Sequence, residues 1–176
     1  MPQRPFRFAV GGGGHKQRTA LLEHAREAES MGYSTLLLSD HLLDQLAPLP
    51  ALAAVAQVTS RMRLGTFVLN NDLRHPAVLA QELASLDLLS DGRLDIGLGA
   101  GWNIAEYTAA GLAFDPQPLR FSRMAESVHV LKGLFDQAPL TFTGKHYRIT
   151  ELNGLPKPLQ KPHPPILIGG GGKRTL

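Results

Sequence analysis

The chain has 176 residues, enough for one domain with a buried core, and 43% of them are hydrophobic against 19% charged, which excludes wholesale disorder. It contains no cysteine, which excludes disulfide scaffolds, thiolate zinc sites, iron–sulfur clusters and a cysteine nucleophile. The net charge of +3 is too small to point to nucleic acid, and it is uneven: residues 1–136 carry 12 basic and 14 acidic side chains, residues 137–176 carry 6 and 1.

In chain order, residues 6–10 read as a short strand that stops at four glycines, 11–14. Residues 19–31 read as a helix with Leu21, Leu22, Ala25 and Ala28 on one face, ended by Gly32. Three consecutive leucines in 35–39 fit a strand buried on both faces, and it ends at Asp40-His41. Residues 50–60 form an alanine-rich helix candidate, and 64–69 a third strand. Pro76 suits a first helical turn, and 77–90 follows with Val78, Leu79, Leu83, Leu86 and Leu89 at helical spacing. Residues 94–98 are a fourth strand, entering the turn Gly97-Leu98-Gly99-Ala100-Gly101. A short helix near 103–110 and a longer one over about 119–135 come next. Within the single domain 1–176, residues 139–165 form an insertion: a hairpin around Gly144-Lys145, then an extended connection with five prolines. A fifth strand at 165–168 runs into the glycines 169–172, and 173–176 begins a helix.

Strands separated by helices imply parallel pairing, either as an open doubly wound sheet or as a (β/α) barrel. In both, function gathers at the C-terminal ends of the strands. Several motifs fail. The position a dinucleotide fingerprint needs as its third glycine is Trp102, Gly172-Lys173 is followed by Arg174 rather than Ser or Thr, and there is no nucleophile elbow. The seven histidines show no metal-ligand spacing, so no metal is expected.

His41 sits just past a buried strand, where an imidazole that titrates near neutrality can accept or donate a proton; the alternative is a bond to a loop carbonyl. Asp40 either orients that ring or caps a turn. Glu106 either shares a mouth with His41 or faces its own helix dipole. Gly97, Gly99 and Gly101 suit either close approach of a flat ligand or a tight turn. The glycines 169–172, followed by Lys173 and Arg174, suit an anion site at a helix N-terminus. Trp102 is either core or a stacking wall.

Taken together, these segments resemble the bacterial luciferase-like superfamily of flavin- and deazaflavin-dependent oxidoreductases. The resemblance lies in Leu36-Leu37-Leu38-Ser39-Asp40-His41, in Leu64-Gly65-Thr66 through Arg74-His75-Pro76-Ala77, and in Leu89-Ser90-Asp91-Gly92-Arg93. It continues in Gly97-Leu98-Gly99-Ala100-Gly101-Trp102-Asn103 with Glu106, and in Pro164-Pro165-Ile166-Leu167-Ile168-Gly169-Gly170. Their order selects the barrel.

The resemblance implies an α/β fold of the TIM (β/α)8 type, with a flavin or deazaflavin ring at the strand C-termini. In the branch that uses coenzyme F420, it makes His41 and Glu106 the catalytic pair. It implies a cis non-proline peptide near 67–68 or 68–69, with Asp40, Val68, Asn70, Gly99 and Gly101 on the cofactor side. Asn70 would meet the ring's polar edge, and Gly170, Gly171 and Gly172 the phosphate. Such barrels have eight strands in ~250 residues, whereas this chain stops after five. That implies either a fragment of a longer protein or a second copy covering the open edges, a homodimer. The expected function is hydride transfer between an organic substrate and F420. The alternatives are an FMN-dependent monooxygenase and a catalytically incomplete remnant. A small-molecule substrate is the expected partner. Nucleic acid is not, because basic residues are not interleaved with aromatics. With no ~20-residue apolar stretch and no signal-peptide core, a cytoplasmic, membrane-free protein is expected.

Overall fold

A computed structural model describes residues 6–170. The leucine-rich runs form a parallel sheet, and the amphipathic segments between them form the helices that cover it. Strands β1 (Ala9–Gly11), β2 (Thr35–Leu38), β3 (Arg63–Thr66), β4 (Leu69–Asn70) and β5 (Leu94–Gly99) alternate with helices α1 (Arg18–Ser30), α2 (Pro48–Ala56) and α3 (Pro76–Leu89). After β5 come α4 (Ile104–Ala109), α5 (Gln117–Phe135), the hairpin β6 (Leu140–Thr143) and β7 (Arg148–Leu152), and finally β8 (Ile166–Ile168). β1, β2 and β3 pair in parallel, with β3 against β5 and β8 on the far side of β5.

The expected third strand is two pieces. A cis peptide joins Phe67 and Val68 between β3 and β4, and both pieces lie along β5, Leu64 opposite Leu94 and Leu69 opposite Leu98. A 3-10 turn over Asn71–Leu73, which the sequence reading lacked, follows β4. The other differences are at element ends. β1 starts at Ala9 rather than Phe6, and α2 and α5 start earlier than expected, at Pro48 and Gln117, because proline is well suited to a helix's first turn.

Leu36, Leu38, Leu64, Leu94, Ile96 and Leu98 are buried against Leu21, Leu22, Leu52, Val55, Leu79 and Leu83 of the helices. The opposite face of the sheet is lean: a side chain at Gly65 would meet Leu37 Cδ2, and side chains at Gly97, Gly99 and Gly169 would come within 3.1, 2.6 and 2.9 Å of the Val68 methyls. The proline-rich connection is pinned under the sheet by Gln160, whose backbone N–H and Nε2 donate to the fully buried Asp87 carboxylate at 2.9 and 2.7 Å. Gln160 also accepts from Arg63 Nη2 at 3.0 Å, while Arg63 pairs with Asp95 at 2.7 Å. The hairpin is clamped to α5 by Glu126, which accepts the N–H groups of Lys145, His146 and Tyr147 at 2.8, 2.9 and 3.3 Å. Burial opposes ionisation there, but those three bonds hold the Glu126 carboxyl below its ordinary range. Among the described residues no helix is long and apolar enough to cross a membrane.

Candidate active site

The C-terminal ends of β2, β4, β5 and β8 open into a cavity of about 750 Å3. His41, Glu106, Asp40, Val68, Asn70, Gly99, Gly101 and Gly170 all line it, while Gly171 and Gly172 lie outside the described residues.

His41 follows β2 and Glu106 sits in the first turn of α4, whose start is capped by Asn103 Oδ1 accepting from the Ala105 N–H at 3.2 Å. The helix therefore delivers the carboxylate to the mouth, where both oxygens approach His41 Nδ1, at 3.0 and 3.2 Å. Glu106 is buried and His41 is 24% exposed in its side chain. Nε2 of His41 makes no hydrogen bond to the described residues. The two readings of Glu106 merge: it lies in a helix's first turn and it meets the imidazole.

Among the described residues Asp40 makes no hydrogen bond to that imidazole. Its carboxylate accepts the Asn70 N–H at 3.0 Å and both terminal nitrogens of Arg74 at 2.7 and 3.2 Å. It ties the end of β2 to β4 and the 3-10 turn while still lining the cavity. Two of the glycines also leave room for neighbouring side chains. The space a Gly99 side chain would fill belongs to Val68. Gly101, at φ +74°, leaves room for the Tyr107 hydroxyl, and a Cβ there would lie 2.7 Å from Asn70 Oδ1. Trp102 is a wall and not core: it is 73% exposed and sets its ring edge-on to His41, with centroids 5.7 Å apart at 81°.

Two buried residues at the site had no distinct signal in the sequence. Arg120 lines the cavity as an ordinary member of a helical pattern. It donates to the carbonyls of Asp115 and Ala100, each at 2.9 Å, and to that of Gly101, and its guanidinium stacks 4.2 Å above the Phe114 ring. Tyr107 hides beside Glu106; its hydroxyl lies 2.9 Å from Asn70 Oδ1 and 3.0 Å from Asp72 Oδ2. Burial pushes this phenol up to about 12. Asp72 is gripped by Arg123 at 2.8 and 3.1 Å, and its hydrogen bond raises the Arg123 guanidinium above its ordinary value.

The chain matches the family model described as luciferase-like monooxygenase over residues 5–176. It is 38% identical to an F420-dependent glucose-6-phosphate dehydrogenase of Kineococcus radiotolerans over 160 residues, 86% of this chain and 47% of that protein. A protein of the same name from Amycolatopsis mediterranei is 34% identical over the same shares. The chain thus spans about half the length of the curated relatives it matches. Among solved structures, monooxygenase RslO1 from Streptomyces bottropensis superposes with a TM-score of 0.80 at 27% identity, covering 93% of this chain and 53% of that one. The coenzyme F420 dependent tetrahydromethanopterin reductase from Methanopyrus kandleri gives 0.84 at 23% identity, covering 97% and 51%, a likeness of fold. The alternating strands and helices, and the family match along nearly the whole sequence, identify this chain as a member of the luciferase-like monooxygenase family.

Proposed function

We propose that the cavity is the cofactor site of an oxidoreductase that uses coenzyme F420 and exchanges a hydride with a small organic substrate. The observation that carries the reading is the His41–Glu106 pair at the mouth of a cavity formed by the strand ends. The names of the relatives from Kineococcus and Amycolatopsis support the choice of cofactor.

The residues present fit such a group. The cavity is of the size that holds a tricyclic ligand, since ligand pockets run from ~300 to 1,000 Å3. Val68 gives it an apolar floor, Phe67 and Trp102 an exposed apolar rim, and Asn70 a side-chain nitrogen with no hydrogen bond to the described residues. Val68 would back the ring, Asn70 would meet its polar edge, and Gly170 with Gly171 and Gly172 would hold the phosphate. When bound, a deazaflavin supplies two-electron hydride chemistry. The protein's part is the proton. With Glu106 accepting from Nδ1–H, the neutral imidazole keeps its lone pair on Nε2, which takes a hydroxyl proton from an alcohol-type substrate or returns it. The carboxylate orients the ring and faces the positive charge that then forms.

A second reading is an FMN-dependent monooxygenase; the likeness to monooxygenase RslO1 supports its reaction class and does not bear on the cofactor. Titrating the purified chain separately with F420 and FMN, followed by absorbance and fluorescence, distinguishes them. Saturable binding of F420 alone is expected. Binding of FMN alone supports the second reading, and binding of neither supports a catalytically incomplete remnant.

A further inference from the structure

We infer that Tyr107, which does not line the cavity, is a positioning residue: it holds the Asn70 amide so that nitrogen, and not oxygen, is offered to a ligand. Asn70 Oδ1 accepts from two protein donors, the Tyr107 hydroxyl at 2.9 Å and the Asp72 N–H at 3.1 Å. Both contacts turn the oxygen toward the protein, since an amide oxygen accepts and cannot donate. Nδ2 makes no hydrogen bond to the described residues, and Asn70 lines the cavity. The amide is therefore a donor toward the site and recognises an acceptor, a carbonyl oxygen or an unprotonated ring nitrogen at the edge of a planar heterocycle. The placement of that edge against Asn70 rests on the cofactor reading above; the orientation of the amide does not.

The surroundings are built to keep the hydroxyl in place. Tyr107 is 1% exposed, and its ring meets Phe114 edge-on at 4.9 Å and 80°. Phe114 lies under Arg120 at 4.2 Å. Gly101 contributes no side chain where the hydroxyl sits. Asp72, paired with Arg123 through both oxygens, also lies 3.0 Å from the hydroxyl, so the phenolic proton is shared between Asp72 and Asn70, and the Asp72 N–H keeps the amide oxygen turned toward the protein.

The test is a double-substitution cycle in the full chain, with coenzyme F420 as the probe and fluorescence quenching as the readout. Tyr107→Phe is expected to raise the Kd about tenfold, the scale of one hydrogen bond. In an Asn70→Ala background the same change should alter Kd by no more than about twofold, because the hydroxyl then has no amide to hold. An equal rise in both backgrounds, or no rise in the first, overturns the inference. A second arm needs no cofactor. In 15N-labelled protein the Asn70 side-chain amide signals, identified by their loss in Asn70→Ala, should move toward the unstructured position in Tyr107→Phe. The unfolding midpoint should stay within about 4 °C of the wild type. Unmoved signals overturn the inference. If the wild type fails to bind F420, the cofactor reading falls, and the amide signals alone decide the role of Tyr107.

Discussion

His41 and Glu106 lie 65 positions apart in sequence, yet their side chains meet at 3.0 Å because the segments that follow β2 and β5 emerge at the same end of the sheet. His41 is partly exposed at the mouth of a cavity, so removing it leaves Glu106 with access to water rather than sealed in the core. His41→Ala should lower F420-coupled turnover by about 100-fold or more while the unfolding midpoint shifts by only a few degrees. Unchanged turnover in a folded variant would refute the assignment. Tyr107 makes a prediction of opposite kind, on stability against pH. Burial raises its pKa from 10.0 to about 12, so the folded protein holds this proton more tightly than the unfolded chain. The contribution is complete below 10.0 and disappears as pH climbs toward about 12. Burial moves Tyr147 in the same direction. Urea midpoints measured through this alkaline window should fall less steeply in Tyr107→Phe than in wild type. The pair itself was legible in the sequence because strand ends mark where function gathers. Asp40 was half legible: its place was, but its partner Arg74, 34 residues away, was not. Arg120 and Tyr107 were hidden because a buried polar residue in a helical pattern looks, in one dimension, like any other.

Helices with one apolar face announce themselves through spacing, and α1 and α3 fall within a residue of where the periodicity put them. What periodicity cannot show is a break inside an apolar run. Residues 64–69 are apolar enough to pass for one strand, and the cis peptide that splits them has no marker in side-chain pattern; only the family resemblance pointed to it. Nor does spacing reveal what an extended segment is tied to. Gln160 sits 73 residues from Asp87, and nothing local to either says they meet. That contact carries a prediction. Asp87 is fully buried, and Gln160→Ala removes its Nε2 donor while keeping the backbone one. The cost should be about 2 kcal/mol, since a buried charged acceptor loses a partner. A urea midpoint within error of the wild type would show that water replaces the amide. The hairpin gives a local counterpart. Glu126→Gln weakens a three-donor clamp on the turn before β7, so amide exchange at Lys145, His146 and Tyr147 should quicken by about tenfold while exchange in the sheet core stays put.

The sheet as a whole has two uncovered sides among the described residues. β1 pairs only with β2, and β8 only with β5. Apolar side chains crowd both edges: Phe6 is 94% exposed and Phe8 69% next to β1, and Leu167 is 50% exposed on β8. Unpaired backbone groups beside exposed apolar surface are a template for another strand. The two edges are different in sequence but both belong to parallel strands, so one copy's β8 can lie along another's β1 with the helices still outside. Such a head-to-tail contact closes into a ring only if the rotation between copies allows it. The chain in isolation should therefore self-associate, with a weight-average sedimentation coefficient that rises with concentration. Leu167→Lys puts a charge on the β8 edge without touching the His41–Glu106 mouth, and should shift the distribution toward monomer at equal concentration. A wild type that sediments as a monomer at every concentration would mean that the edges are not met by a second copy.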